Sequence, residues 1–255
     1  MSFNAYGCWT LLRKEVLRFW RVSGQTVLAP MLTAVLYLLV FRQVMAAHVE
    51  VYDGVSYAAF LIPGLMMMSV IQNAFANTSS SLIQSKINGN LVFLLMTPLS
   101  ALEIFLAFVG AALLRGVVVA SGVYLVARLF MPLPLEAPLV AFGMLVLVSV
   151  ALGVLGLIAA VFAEKFEHLA AFQNFLIMPF SFLSGVFYSI RDLPQLWNTL
   201  SLYNPFFYMI DGFRYGFFGV SDAAPAQSLA VVGAFALLTS ALGLWLLRSG
   251  YKLRP

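Results

Sequence analysis

The chain has 255 residues, of which 62% are hydrophobic and only 9% are charged, and its mean hydropathy is +0.97. Soluble globular domains carry about 25% charged residues, so this composition excludes a soluble enzyme and gives no indication of a nucleic-acid partner. Since a helix needs about 20 apolar residues to cross a membrane, the length predicts a polytopic membrane protein of roughly six or seven spans. The single cysteine, Cys8, excludes an intrachain disulfide.

Residues 4–21 have the pattern of an amphipathic helix. The apolar residues close to one face are Trp9, Leu12, Val16, Phe19 and Trp20, and the basic residues away from it are Arg13, Lys14, Arg18 and Arg21. We predict an interface helix that lies along the membrane surface. The alternative is a basic flank that only fixes the orientation of the first span. The apolar run that follows is too long for a secretory signal core, so we interpret it as a retained span.

Six apolar segments are predicted to span the membrane, at residues 24–44, 57–81, 99–125, 138–162, 168–186 and 229–247. We therefore predict an all-α polytopic membrane protein with one transmembrane domain over residues 1–255. Six spans place both termini on the same side of the membrane. Nine Lys and Arg residues fall on that side and four on the other, so the positive-inside rule predicts cytoplasmic termini.

Residues 187–219 carry too many charges for two further spans, and they face outward on this topology. Asp192 opens a first short helix, and Asn204 followed by proline is a typical start of a second one. We predict two short re-entrant helices that dip into the outer leaflet, with an i, i+3 ion pair in the second. A folded external loop is the alternative. The residues expected to form the gate or hinge are Gly185, Pro194, Pro205, Asp211 and Arg214.

The sequence has no phosphate-binding loop, no His-Glu-x-x-His motif and no Cys or His cluster at metal-binding spacing, so we predict neither an enzyme nor a metal site. Transport remains, driven by ions or by a partner protein. Arg115 is the one clear ionisable residue within a span, which gives ion coupling little support. We expect Arg115 to hydrogen-bond carbonyls or a polar residue such as Asn174, with a contact to substrate headgroups as the alternative. Glu103 is expected to be solvated at the cytoplasmic end of span 3.

A partner-driven mechanism needs a docking segment in the cytoplasm, and the link between spans 2 and 3 is the candidate. Residues 84–96 are predicted to form a short helix with several leucines. A segment so apolar is unfavourable in water, which favours a protein partner over exposure. Packing against lipid or against the protein's own spans is the alternative. The residues assigned to docking are Gln84, Lys86, Asn88, Asn90 and Phe93.

Taken together, these segments resemble the membrane subunit of a type-2 ABC exporter, the group of nodulation-factor, drug, O-antigen and teichoic-acid export permeases. The resemblance covers essentially the whole chain and includes the basic interface helix and the Gly89–Ser100 segment. Its most specific part is Phe182-Leu-Ser-Gly185-Val-Phe-Tyr188, Leu193-Pro194, Trp197, Asn204-Pro205, Tyr208 and Phe213-Arg214. Within the group, the chain is similar to the YadH-like proteobacterial permeases.

The resemblance implies a homodimer in the bacterial inner membrane, in contact with lipid and with two copies of a separate ATP-binding cassette subunit. ATP and Mg would bind to that partner, and this chain would bind no cofactor. Residues 84–96 would form the coupling helix, with Asn88 and Asn90 where many relatives carry an acidic residue. The implied substrate path along spans 1, 2 and 5 offers Tyr37, Phe41, Asn73, Asn174, Phe175, Phe180, Phe182 and Phe187.

We therefore expect the membrane-spanning subunit of an ATP-driven exporter that moves an amphipathic or lipid-linked molecule outward past an external gate at residues 187–219. Aromatic side chains bind both sugars and acyl chains, so glycolipid, polysaccharide, lipid and drug all stay open as substrates. The alternatives are a carrier or channel that works without an ATPase, and a non-transporting membrane scaffold or sensor.

Overall fold

The computed structural model describes residues 3–44, 50–52 and 54–253, without the side chains of residues 41–44 and 50. In these ranges the chain is mainly helical. The helices are α1 (Ala5–Trp20), α2 (Ala29–Val44), α3 (Tyr57–Ile87), α4 (Leu91–Met96), α5 (Ala101–Phe130), α6 (Pro138–Phe162), α7 (Phe166–Phe172), α8 (Met178–Phe182), α9 (Gln195–Leu202), α10 (Pro205–Phe218) and α11 (Pro225–Ser249). π-helical turns at Gly24–Leu28 and Gln173–Ile177 precede α2 and join α7 to α8, and a 3-10 turn covers Ile190–Asp192.

Among the described residues, four helices are each long and apolar enough to cross a membrane, namely α3, α5, α6 and α11. The α1 helix and residues 24–40 meet the same criteria as a pair, but the two are bent by 69°. Length and composition therefore give four spans, or five if the bent pair is one. The predicted fifth span, 168–186, is divided between α7 and α8.

The observed helices differ from the predicted spans mainly at their ends. The fourth prediction, 138–162, coincides with α6, whereas α3 and α5 extend several residues beyond the predicted ends. The predicted fifth span ends earlier, at Phe182, and contains a π-helical turn. Pro179 has no N–H to donate to the carbonyl of Phe175, which favours a local change in the hydrogen-bond pattern there. Gly185, with φ +70°, then lies in the left-handed region beyond the helix.

Short polar side chains cap the starts of α1, α3, α5 and α10 among the described helices. The predicted cap at Asn204 is confirmed, because the Phe206 N–H donates to its side chain at 3.0 Å. Ser100 and Glu103 form a capping box at the start of α5. The Glu103 carboxylate also accepts from the Asn4 N–H and is 2% exposed. The expectation of a solvated Glu103 is therefore wrong, because α1 covers this carboxylate and binds to it.

The core is built around α3, which packs against α5, α6 and α10. Small residues let α3 and α6 approach closely. A Cβ at Gly156 would collide with the Phe75 carbonyl, and the Thr78 hydroxyl donates to the Gly153 carbonyl at 2.5 Å. Close backbone approach of this kind stabilises helix pairs inside membranes.

The predicted coupling helix, 84–96, is two elements rather than one. The α3 helix continues to Ile87, a turn follows, and α4 begins at Leu91. Gly89 has φ +71°, a conformation that ends a helix easily and that other residues rarely adopt. The correction follows from this glycine, which prevents a continuous helix through the segment.

Two short antiparallel strands, β1 (Glu50–Tyr52) and β2 (Val55–Ser56), precede α3. Gly54, with φ +76°, lies in the turn between them. The all-α prediction therefore needs this small correction. The sequence contains Val and Tyr on both sides of a glycine, a pattern that favours a hairpin.

Candidate substrate cavity, outer network and coupling segment

A cavity of about 420 Å³ lies between α2, α3 and α8. Its apolar wall consists of Ala29, Pro30, Ala34, Leu65, Met68, Met178, Phe182 and Phe187, and its polar wall of Gln25, Thr33, Tyr37, Ser69, Gln72 and Asn73. All of the polar wall residues are uncharged. The cavity can therefore offer amide and hydroxyl hydrogen bonds along one wall and aromatic and aliphatic surface along the other.

Four of the predicted substrate-path residues lie on this cavity, namely Tyr37, Asn73, Phe182 and Phe187. The Phe187 ring stacks on Phe182, with 5.8 Å between ring centroids, and contacts Tyr37 at 5.6 Å. The backbone carbonyl of Phe187 also accepts from the Tyr57 hydroxyl at 2.8 Å. Span 1, span 2 and the segment after α8 thus meet at one aromatic cluster.

The other predicted path residues do not line the cavity. Phe175 is 83% exposed and Asn174 is exposed beside it, on the outer surface of the chain. Phe180 packs against Phe206, with ring centroids 6.0 Å apart. Phe41 lies in α2, but its side chain is outside the described residues.

Sequence reasoning missed several polar lining residues, chiefly Gln25, Thr33 and Gln72. Gln25 lies in the π-helical turn before α2, and that turn is not visible in a hydropathy pattern. The sequence feature that could have identified these lining residues is a polar residue inside an otherwise apolar span. Ser69, Gln72 and Asn73 follow this rule, since they lie three and four residues apart on one side of α3.

Arg115 is buried and does not line the cavity, but its guanidinium binds Asn73, which does. Its Nε and Nη2 atoms donate to the Asn73 Oδ1 atom at 3.0 and 2.7 Å. Asn73 in turn donates through Nδ2 to the Ser69 carbonyl at 3.0 Å. A hydrogen-bonded polar partner was expected for Arg115, but the partner is Asn73, not Asn174. The guanidinium fixes the orientation of an amide that faces the cavity.

A set of contacts holds together the end of the helices that the predicted topology places outside. We call it the outer network, and it consists of Tyr52, Gly185, Ser189, Ile190, Arg191, Asp211, Arg214, Ser221, Asp222 and Ala223. The Asp222 carboxylate is its centre. This carboxylate accepts from the Ser189 hydroxyl at 2.7 Å, the Ile190 N–H at 2.9 Å and the Tyr52 hydroxyl at 3.1 Å. The Arg191 guanidinium lies 3.3 Å away and also donates to the Ser221 carbonyl. One carboxylate therefore joins the hairpin, the segment after α8 and the loop before α11.

The predicted ion pair between Asp211 and Arg214 is not formed. The Asp211 carboxylate instead accepts from the N–H groups of Asp222 and Ala223, both at 2.9 Å. Arg214 donates to the Gly185 carbonyl at 2.8 Å, and its guanidinium lies over the Phe60 ring. Because both side chains are almost fully buried, each binds partners from other elements that replace water.

The two gate helices differ in their surroundings. Pro194 occupies the cap position of α9, which exposes Leu196, Trp197 and Leu200 on its outer side. Pro205 is the first residue of α10, whose side chains are nearly all buried between α3, α6 and α11. The hydrophobic stripe of α10 therefore packs against the protein's own spans.

The predicted docking residues have different environments in the structure. Lys86 donates its ammonium hydrogens to the carbonyls of Ala160, Val161 and Ala163 at 3.1, 2.7 and 2.9 Å, so it caps the end of α6. Phe93 is 70% exposed on α4. The remaining three, Gln84, Asn88 and Asn90, line a small pocket next to α1.

The family model of the ABC-2 type transporter matches residues 6–218. The chain belongs to this family. It is 37% identical over 222 residues to the inner membrane transport permease YadH of Escherichia coli strain K12, and the match covers 87% of each chain. It is also 24% identical over 204 residues to nodulation protein J of Rhizobium leguminosarum bv. viciae, covering 79% of this chain and 78% of the relative. Nodulation protein J of Rhizobium meliloti strain 1021 is 23% identical, covering 83% and 81%.

Membership in the family makes the chain a membrane subunit of a transporter. The family match also covers most of the three regions described above. The cavity, the outer network and the α3–α4 segment all lie within the matched range, apart from the loop before α11 that contains Asp222.

Proposed function

We propose that the chain is the membrane-spanning subunit of an ATP-driven exporter that moves an amphipathic or lipid-linked molecule outward across a bacterial inner membrane. The observation that carries the proposal is the cavity between α2, α3 and α8, which combines an uncharged polar wall with an aromatic one. A glycolipid, polysaccharide, lipid or drug has both kinds of surface. The name of the Escherichia coli relative, an inner membrane transport permease, supports the location.

Six spans with cytoplasmic termini fit this role. In addition to the four long helices, span 1 consists of α2 and the turn before it, and span 5 consists of α7 and α8. The 69° bend then allows α1 to lie along the cytoplasmic surface, with Trp9 and Trp20 exposed to the membrane. The outer network and α9 form the external gate above the cavity.

Two copies of the chain and two copies of an ATP-binding cassette subunit form the working exporter. ATP and Mg bind to that partner, and ATP binding moves the coupling segment at residues 84–96. The open side of the cavity, next to the exposed side chains of Phe180 and Phe182, faces the second copy of this chain. The cavity then becomes a path along the dimer axis.

Reconstitution tests the proposal directly. We expect the chain to transport substrate in proteoliposomes only when its ATP-binding cassette subunit and ATP are present. Flux driven by an ion gradient through this polypeptide alone would show a secondary carrier instead. A normal ATPase rate that no candidate substrate changes, without transport, would support a scaffold or sensor.

Recruitment of the partner gives a second test. Phe93→Asp should abolish co-purification of the ATP-binding subunit, because a charge replaces the exposed apolar side chain that docks into the partner. Tyr251→Asp is the matched control, since Tyr251 is 51% exposed but lies outside the coupling segment. Equal recruitment by the Phe93→Asp variant and the control would contradict the coupling assignment.

A further inference from the structure

A small pocket lies at the cytoplasmic end, between α1 and the end of α3. Its volume is about 130 Å³. Its lining residues are Lys14, Arg18, Ser81, Gln84, Ser85, Asn88 and Asn90. Since one water occupies roughly 30 Å³ in the liquid, the pocket has room for about four waters, or for the head group of one side chain.

The charges around the pocket are predominantly positive. Arg18 is fixed in place, because it bonds to the buried Glu15 carboxylate at 3.0 Å and donates to the Asn77 carbonyl at 2.6 Å. The Lys14 ammonium lies 3.1 Å from the same carboxylate, and its side chain is 56% exposed. Two cations therefore share one carboxylate, which leaves an unbalanced positive charge at the pocket.

The pocket also contains a polar atom without a partner. Ser81 is 2% exposed, and its buried hydroxyl forms no hydrogen bond to any part of the chain that the structure describes. A buried hydroxyl without a partner is unfavourable, because it has lost its hydrogen bonds to water and gained none in the protein. The amides of Gln84, Asn88 and Asn90 add further donors around it. An anionic acceptor of small size satisfies this set of groups.

The orientation of α1 directs the pocket away from the lipid. At 100° per residue, Lys14 and Arg18 lie roughly 150° around the helix from Trp9 and Trp20, the exposed aromatic residues. The other wall of the pocket is the end of α3 and the turn that leads to the exposed Phe93 of α4. The position and the charge together favour an acidic side chain from a cytoplasmic protein over a lipid phosphate.

We propose that this pocket receives an Asp or Glu side chain of the ATP-binding subunit, so that the partner contacts α1 as well as the coupling segment. This inference rests on the proposed function, and it adds Lys14, Arg18 and Ser81 to the docking surface. The carboxylate accepts hydrogen bonds from the Lys14 ammonium and the Ser81 hydroxyl. Docking of the partner then acts directly on α1. The start of this helix is in turn bound to α5, because the Asn4 N–H donates to the Glu103 carboxylate.

The test measures the affinity of the full-length chain, in nanodiscs, for the ATP-binding cassette subunit of the proposed exporter. Lys14→Glu should weaken binding at least about tenfold at low salt, and Lys14→Gln by less, because a repelled or lost charge pair slows association and speeds dissociation. The difference from the unaltered chain should shrink at about 0.5 M salt. Arg13→Glu is the matched control, because Arg13 is an exposed cation about 40° from Trp9 around α1, so the expectation that it lies away from the tryptophans is wrong.

Charge exchange identifies the partner group. Replacing one acidic residue of the ATP-binding subunit by Lys should restore the affinity of the Lys14→Glu variant. Equal affinities of the Lys14→Glu, Arg13→Glu and unaltered chains would overturn the inference. If Phe93→Asp still abolishes recruitment in that case, the proposed function stands without the pocket; if it does not, the coupling assignment also fails.

A lipid ligand has a distinct outcome. Binding of the isolated chain to phosphatidylglycerol in mixed nanodiscs is measured by native mass spectrometry for the same variants. Loss of bound phosphatidylglycerol in Lys14→Glu, with unchanged affinity for the ATP-binding subunit, would assign the pocket to a lipid phosphate and overturn the inference.

Discussion

The two ends of the molecule are held by opposite charges. At the end that carries the outer network, the carboxylates of Asp211 and Asp222 accept from N–H and O–H groups of the hairpin, the segment after α8 and the loop before α11. At the end that carries α4, the ammonium of Lys86 donates to three carbonyls at the end of α6. The carbonyls that Lys86 binds are those that a helix end leaves unpaired. The donors that the two carboxylates bind belong mainly to loops and hydroxyl side chains.

The two ends of the molecule differ in which side chains they leave exposed. The outer network uses its charged groups on the chain's own loops, and the large apolar side chains exposed next to it, Leu196, Trp197 and Leu200, belong to α9, which is part of the proposed external gate. At the other end, Lys86 is bound to the end of α6, but Phe93 and Met96 of α4 stay 70% and 76% exposed. Apolar side chains in water are typical of a docking surface. The comparison suggests a gate at one end and a site for a partner at the other, and three variants test it.

The largest effect is expected at the centre of the outer network. Asp222→Ala should lower the free energy of unfolding by about 3 kcal/mol, because it leaves several buried donors without an acceptor. Thermal unfolding in detergent measures the change. Asp222→Asn is the control, since it keeps an acceptor oxygen and should lose less. Equal midpoints for Asp222→Ala and the unaltered chain would show that the three loops are held by other contacts.

A smaller effect is expected at the cytoplasmic cap. Lys86→Met should lower the free energy of unfolding by about 1 to 2 kcal/mol, because three carbonyls lose a charged donor. It should also reduce transport while the ATP-binding subunit is still recruited, since Lys86 joins the coupling segment to the α6–α7 link. Lys86→Arg should keep most of both properties. A loss of recruitment in Lys86→Met, with unchanged stability, would instead place the ammonium at the partner.

A third effect is expected between the two ends. Asn73→Ala should lower the free energy of unfolding by about 1 to 3 kcal/mol, because the buried Arg115 guanidinium loses the amide oxygen to which it donates. The variant also removes an amide from the cavity wall, so transport should fall more than stability does. Thr239→Ala is a suitable control, because the Thr239 hydroxyl donates to the Phe235 carbonyl of its own helix and lies outside the cavity lining. Unchanged transport by the Asn73→Ala variant would show that this wall does not contact the substrate.

Much of the local structure could be predicted from neighbouring residues. The bounds of α6 follow from an uninterrupted apolar run, and the start of α10 follows from Asn204 and Pro205. Gly185 was identified as a bend, and it has the positive φ that a bend requires. Gly89, by contrast, divides a segment that was predicted as one helix. Its flanking residues suit a helix, and only the backbone conformation at the glycine revealed the break.

The partners of charged residues could not be predicted in this way. Asp211 and Arg214 have the spacing of an ion pair, yet each binds elsewhere. Arg115 binds Asn73, which is 42 positions away in the sequence. Glu103 was assigned to solvent because nothing in the sequence indicated that α1 folds back over it.

The sequence by itself determined the class of protein, the positions of the long helices, the cap at Asn204 and the family resemblance, which the family match confirms. These depend on hydrophobic spacing and on contacts within about four residues along the chain. The sequence did not determine the start of α9, because Asp192, predicted to open that helix, lies in the preceding 3-10 turn. Only the tertiary structure decided which groups line the cavity, which loops the Asp222 carboxylate joins and which cations surround the pocket at Ser81. A buried polar group in a medium of low dielectric takes the best partner that folding brings near, however distant it is in the sequence.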